Sequence, residues 1–298
     1  MNGSPTIEIA VVGGSGLYEL AHVDGPIPVE VDTPFGPPSA PIVVGRIDGR
    51  QVGFLARHGR GHRLLPTELN YRANIYALKS LGAERVISVS AVGSMRSSIH
   101  PRDIVVVDQF IDRTTRRPQT FFGDGIAAHV SLADPVCPEL RAGAIAAGAA
   151  TSSQVHDGGT YVCIEGPAFS TRAESELYRS WGVHVIGMTN MQEVRLAREA
   201  ELCYATLAMV TDYDCWHDDE DDVSVASVLD NLRANSVTAA ALIRAVVAAI
   251  PVRGAGCRCG DALRHAIITE PAEISAQARE RLAAIVGKYL GTSGTTPS

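Results

Sequence analysis

The feature that most constrains this chain is a recurring order: a short apolar run, a small polar cluster directly after it, then a stretch of helical period. Apolar runs lie at 7–12, 42–47, 51–56, 86–89, 104–107, 159–164, 184–187 and 203–210. Short apolar runs of this kind read as strands buried on both faces. Helical segments read at 66–81, 138–148, 171–181, 192–200, 225–250 and 275–289. That alternation predicts one α/β domain, residues 7–290, with a central mixed sheet flanked by helices. Asp48-Gly49 between two of the runs signals a hairpin. Thr114 to Ala133 reads as irregular, and the Gly/Thr/Ser/Pro tail, 291–298, is expected to be disordered.

Composition narrows the function classes. A chain of 298 residues buries a sizeable core, and its net charge of −7 disfavours nucleic acid or an anionic membrane as partner. No apolar run reaches the length of a membrane span, and the start carries no basic region followed by an apolar core. The expected location is therefore the cytoplasm, where the six cysteines would stay reduced. Cys257-x-Cys259 reads either as a vicinal redox pair or as two free loop thiols. The acidic run 217–222 lacks the spacing of a calcium loop and reads as a solvated lead into a helix capped by Ser224 and ended by Pro251.

The informative fact is where the polar clusters fall. Ser15 within Gly13-Gly14-Ser15-Gly16, Arg57-His58, Ser90, Ser170, Thr189 and the pair Asp212/Asp214 each follow a strand-like run. Ligands of open α/β sheets bind beyond the carboxyl ends of the strands, so six such loops together describe a site. Hydroxyls, backbone amides and an Arg fork suit an oxyanion. The glycine loop matches neither the dinucleotide fingerprint nor a P-loop. Asp212 and Asp214 are two residues apart, so on an extended chain both would face one ligand.

The stretches GGSGL (13–17), DTPFGPPS (32–39), ARHGRGH (56–62), SAVGS (90–94), DQFIDRTTRRPQTF (108–121), EGPAFSTRAE (165–174), MTNMQE (188–193) and TDYDCW (211–216) run in one order along the chain. In this they resemble the purine nucleoside phosphorylase superfamily, most closely its 5′-methylthioadenosine phosphorylase branch. The resemblance implies a partly barrel-like mixed sheet and a homotrimer or dimer of trimers. It also implies a nucleoside and inorganic phosphate as substrates, with no cofactor and no metal. Ser15, Arg57, His58, Ser90, the Ala91 backbone and Thr189 would hold phosphate. Met188 would lie against the ribose and Phe169 against the purine. Asp212 and Asp214 would meet the ring nitrogen and the exocyclic amine. Val225 and Leu229 would line the pocket for the 5′ substituent, and His129 would reach it from a neighbouring subunit.

Phosphorolysis of a 5′-substituted 5′-deoxyadenosine follows as the expected reaction. Asp212 is the expected general acid, its pKa raised by the second carboxylate, with Asp214 accepting from the amine. The alternatives are a 6-oxopurine nucleoside phosphorylase, a phosphorylase for 5′-halo-5′-deoxyadenosine, and a non-catalytic nucleotide-binding protein. The chain departs from the family pattern at Ala168, where an Arg is usual, and at Gln192, where a Pro is common. Ser15 and Ser90 stand where Thr is frequent.

Overall fold

The computed structural model describes residues 5–14, 17–217, 225–250 and 257–290. Its strands are β1 (Ile9–Gly13), β2 (Asp24–Val29), β3 (Ile42–Ile47), β4 (Arg50–Ala56), β5 (Arg85–Ser94), β6 (Ile104–Val106), β7 (Gln109–Arg113), β8 (Val155–Asp157), β9 (Thr160–Ile164), β10 (Val185–Gly187) and β11 (Cys203–Asp212). The helices are α1 (Leu17–Leu20), α2 (Tyr71–Ser80), α3 (Pro138–Ala147), α4 (Arg172–Ser180), α5 (Asn190–Glu199), α6 (Val225–Ala249), α7 (Ala276–Arg281) and α8 (Ala283–Leu290).

All eleven strands belong to one mixed sheet, with the order β2-β3-β4-β1-β5-β10-β9-β7 and β11, β6 and β8 branching from β5. β5 is the fork. It pairs in parallel with β1 on one side and β11 on the other, and its last residues pair with antiparallel β10. Of the ten residues of β5, nine are buried, as a strand covered on both faces must be. One apolar layer packs the sheet under α2, α5 and α8, and a second packs it under α3 and α6.

Local chemistry sets the boundaries. The hairpin between β3 and β4 turns through Asp48 at φ +49° and Gly49 at φ +82°, left-handed at both central positions as expected of Asp-Gly. α4 begins with a capping box: Thr171 accepts from Glu174 N and the Glu174 carboxylate accepts from Thr171 N. α2 starts at Tyr71 rather than Pro66, because the Asn70 side chain caps Ala73 N and Glu68 closes a turn before it. The expected last helix is two, α7 and α8, interrupted at Leu282. The run 104–107 is one strand, β6, and a further strand, β7, begins just beyond Asp108, whose carboxylate accepts from Gly159 N at 3.0 Å. The 225–250 segment is one helix; Ser224, Pro251, Asp218 to Asp222 and the 291–298 tail lie outside the described residues. Among the described residues no helix is long and apolar enough to cross a membrane.

Candidate active site

The sheet gathers the clusters at one edge. Val12 is level with Ser88 across β1 and β5, and Gly13 with Ala56 across β1 and β4. Arg57 N then donates to Gly13 O at 2.9 Å, which fixes the Arg57-His58 loop beside the glycine turn. β5 continues to Ser94, carrying Ser90 and Ala91 past the end of β1. Antiparallel β10 sets Ile186 opposite Gly93, so Met188 and Thr189 run back along β5 toward Ala91 and Ser90. The Tyr161 hydroxyl joins the two segments: it is hydrogen-bonded to Ser90 and lies 3.5 Å from Thr189 N. Gly187 is required by this contact, since a Cβ there would fall 2.0 Å from the Tyr161 oxygen.

Beneath this edge lies a charged hub. Arg57, 4% exposed, gives its Nε and Nη2 to the Glu193 carboxylate, its Nη1 to Val89 O at 2.8 Å and its Nη2 also to Ser88 Oγ at 2.6 Å. Ser88 Oγ donates to Glu193 at 2.7 Å and accepts from Asn190 Nδ2 at 2.8 Å. The fork expected to take an oxyanion is thus occupied by Glu193. Burial works against the Arg57 charge, but the Glu193 carboxylate offsets it and holds the guanidinium pKa above its ordinary value. One Nη1 hydrogen stays unassigned among these bonds.

His58 is of another kind. Burial and then the neighbouring Arg57 charge push it down to about 4, so the ring is neutral near pH 7. Its Nδ1 lies 2.8 Å from Leu64 O, an acceptor, which makes Nδ1 the protonated nitrogen and leaves Nε2 as an acceptor.

The acid pair converges, though not by strand alternation. β11 ends at Asp212 with an irregularity after Val210, and Asp214 is left-handed at φ +56°. The chain therefore turns: Asp214 N donates to Asp212 Oδ1 at 2.8 Å, and Thr211 Oγ1 to Asp212 Oδ2 at 2.6 Å. This turn lies over Gly93, whose missing Cβ would be 2.9 Å from Asp212 Oδ1 and 3.3 Å from Asp214 N. Burial, with Asp212 adding to it, raises the Asp214 pKa.

The remaining residues fall in varied places. Met188 lies against Gly166, where a Cβ would be 2.6 Å from its sulfur. Phe169 is 51% exposed on the loop before α4. His129 is exposed, its N donating to Ala266 O at 2.9 Å. Val225 and Leu229 lie in α6, but their side chains, like Ser15, lie outside the described residues. A cavity of about 350 Å³ borders Gly13, Gly14, Ala56 and Arg60, beside the Arg57-His58 loop rather than at the acid turn.

Sequence reasoning missed the residue that ties these loops together. Arg117 gives its Nη1 to Met188 O, Gln192 Oε1 and Tyr71 Oη, and its Nε to Glu165 Oε1 at 2.9 Å. Gln192, fully buried, also donates to Thr114 Oγ1 at 2.7 Å. The residue standing where a Pro is common thus joins the bonds that position Met188. No local sequence signal marks Arg117 rather than Arg116 as the residue that makes these bonds.

The model of the Phosphorylase superfamily matches residues 8–248. The S-methyl-5′-thioadenosine phosphorylase of Geobacter sulfurreducens is 56% identical over 283 residues, covering 95% of this chain and 99% of the relative. That of Gloeobacter violaceus is 53% identical over 291 residues, covering 96% and 97%. Among solved structures, a methylthioadenosine phosphorylase from an antarctic soil metagenomic library superposes with a TM-score of 0.90 at 49% identity, covering 95% of this chain and 99% of that one. The methylthioadenosine phosphorylase of Schistosoma mansoni in complex with adenine gives 0.78 at 36% identity over 82% and 91%.

Proposed function

The chain belongs to the phosphorylase superfamily, and we propose that it cleaves 5′-methylthioadenosine with inorganic phosphate to adenine and 5-methylthioribose 1-phosphate. The observation that carries this reading is the placement of the Asp212/Asp214 turn over Gly93, on the strand whose Ser90 and Ala91 lie beside Thr189. An acid pair and a hydroxyl-and-amide cradle then flank one space.

In this reading phosphate attacks the anomeric carbon as the bond to the purine breaks, and its charge stabilises the oxocarbenium-like sugar. Ser90, the Ala91 amide and Thr189 hold the phosphate, with Ser15 joining them from the glycine loop. Neutral His58 offers Nε2 to a hydroxyl of hydrogenphosphate. Arg57, clamped by Glu193, contributes its remaining Nη1 hydrogen and fixes the loop that carries His58. Phe169 closes over the base and Met188 under the ribose.

The leaving purine takes a proton at its five-membered ring. Burial raises the proton affinity of Asp214. A bound 6-amino group donates to Asp214 and favours its ionised form, which leaves the proton to Asp212 for the ring nitrogen. A 6-oxo purine would set an acceptor against Asp214, a mismatch of about 1–3 kcal/mol. Val225 and Leu229 make an apolar lining for the methylthio group, and His129 completes it from a neighbouring subunit of a trimer. No cofactor or metal takes part in this reaction.

The test is release of adenine from methylthioadenosine with and without phosphate, beside inosine and 5′-halo-5′-deoxyadenosine. Phosphate-dependent release, with inosine inert, is the expected result. Release without phosphate, or preference for inosine, would overturn the reading.

A further inference from the structure

We propose that Cys137, Cys203, Cys257 and Cys259 form a structural tetrathiolate site for one divalent metal ion, zinc being the ion such a donor set takes. Three chain segments bring them together. Cys137 is the residue before α3, Cys203 opens β11, and Cys257 and Cys259 follow α6, Cys259 opening a short 3-10 turn. Their sulfurs all lie within 4.8 Å of one another, with Cys137–Cys257 at 3.7 Å and Cys203–Cys257 at 3.3 Å. None of the six cysteines is in a disulfide, and these separations are well beyond a sulfur–sulfur bond of ~2.05 Å. They approach the ~3.8 Å edge of a tetrahedron whose metal–sulfur distance is ~2.3 Å. So compact a set has room for a single ion and none for a multi-iron cluster, which would spread its thiolates farther apart.

Four protein sulfurs close the coordination sphere and leave no open position, which makes the site structural. Binding would release the thiol protons to solvent and leave two negative charges in excess on the complex. Two features answer that charge. Arg198 Nη1 lies 3.9 Å from Cys259 Sγ, and Cys137 stands at the amino end of α3, where the backbone dipole favours an anion. The ion would pin the 257–290 segment to β11 and α3 within the apolar layer that already contains Cys137, Cys203 and Cys259. β11 carries this site at its first residue and Asp212 at its last, roughly 30 Å apart at ~3.3 Å per residue. The proposal is therefore independent of the reaction.

The test is elemental analysis of intact protein purified with reductant and without chelator, beside Cys257→Ser and Cys137→Ser. We expect close to one zinc per chain, at least tenfold less in either variant, and a lower Tm in both. Cobalt exchanged into the wild-type protein should give thiolate charge-transfer bands and the visible bands of a tetrahedral ion, which keeps the test open if the variants fail to fold. Wild-type protein without zinc or a cobalt spectrum would overturn the proposal. So would zinc that survives Cys257→Ser, or an intact mass four hydrogens light, which would indicate two disulfides.

Discussion

Two groups of acids stand at the same sheet edge and are held in opposite ways. Glu193 is 2% exposed, ion-paired to Arg57 and bonded to Ser88 and Tyr204, so its oxygens are spent inside the protein. Asp212 is half-buried on a turn of its own making, and Asp214 rests on a left-handed backbone with a raised pKa. Glu193 spends its oxygens on a guanidinium and hydroxyls, whereas burial, with Asp212 adding to it, raises the proton affinity of Asp214. On the proposed function, the contrast separates an acid that builds the site from a pair that does its chemistry.

The sharpest way to break that contrast is Glu193→Ala. It leaves the buried Arg57 charge unpaired and should cost about 3–5 kcal/mol of stability, read by denaturant unfolding. Activity would fall with the fold. Asp212→Asn and Asp214→Asn should do the reverse, each lowering kcat/KM by about 10²–10⁴-fold with Tm nearly unchanged. If either kept near-normal turnover, that residue would be outside the chemistry.

Gly93→Ala places a Cβ 2.9 Å from Asp212 Oδ1 and should displace the acid turn. A loss of up to about 10²-fold in kcat is expected, with phosphate KM changed less, because Ser90 and Thr189 are untouched. Unchanged turnover would show that the turn's position is not critical.

The smallest effect concerns pH. His58 titrates at about 4 in the fold against 6.5 when exposed, so the unfolded chain binds more protons between those values. That contribution to stability is complete above 6.5 and is lost as the pH falls through the window toward 4. His58→Asn should flatten the pH dependence of Tm over that range; an unaltered slope would mean the ring is protonated in the fold.

How much of this was legible in the sequence depended on the range of the contacts. Strands buried on both faces, such as β1, β5 and β11, declared themselves by unbroken apolar runs. β2 did not, because its Asp-Gly-Pro-Ile-Pro-Val is largely exposed and holds two prolines. The three-residue β8 is too short to show a pattern, and β7 holds only Phe110 and Ile111 as apolar residues. Strand-end polar residues pointed to the site because topology alone brings such ends together. The turn at Asp214 was invisible, since an acid two residues past another reads as extended until the backbone goes left-handed. The Arg117 bonds to Tyr71, Glu165 and Gln192 span 46, 48 and 75 residues, and the Cys137–Cys257 contact spans 120. No local pattern carries contacts of that range, so Cys257-x-Cys259 gave no sign of its two further neighbours.

The division of labour within the acid pair is tested most directly by base selectivity. The measurement is kcat/KM for methylthioadenosine and methylthioinosine, with the wild-type chain and Asp214→Asn. The amide can donate to a 6-oxo group where the carboxylate cannot, so the adenosine-to-inosine ratio should fall by about 10-fold or more in the variant. An unchanged ratio would contradict the account, because Asp214 would then not read the purine's amine.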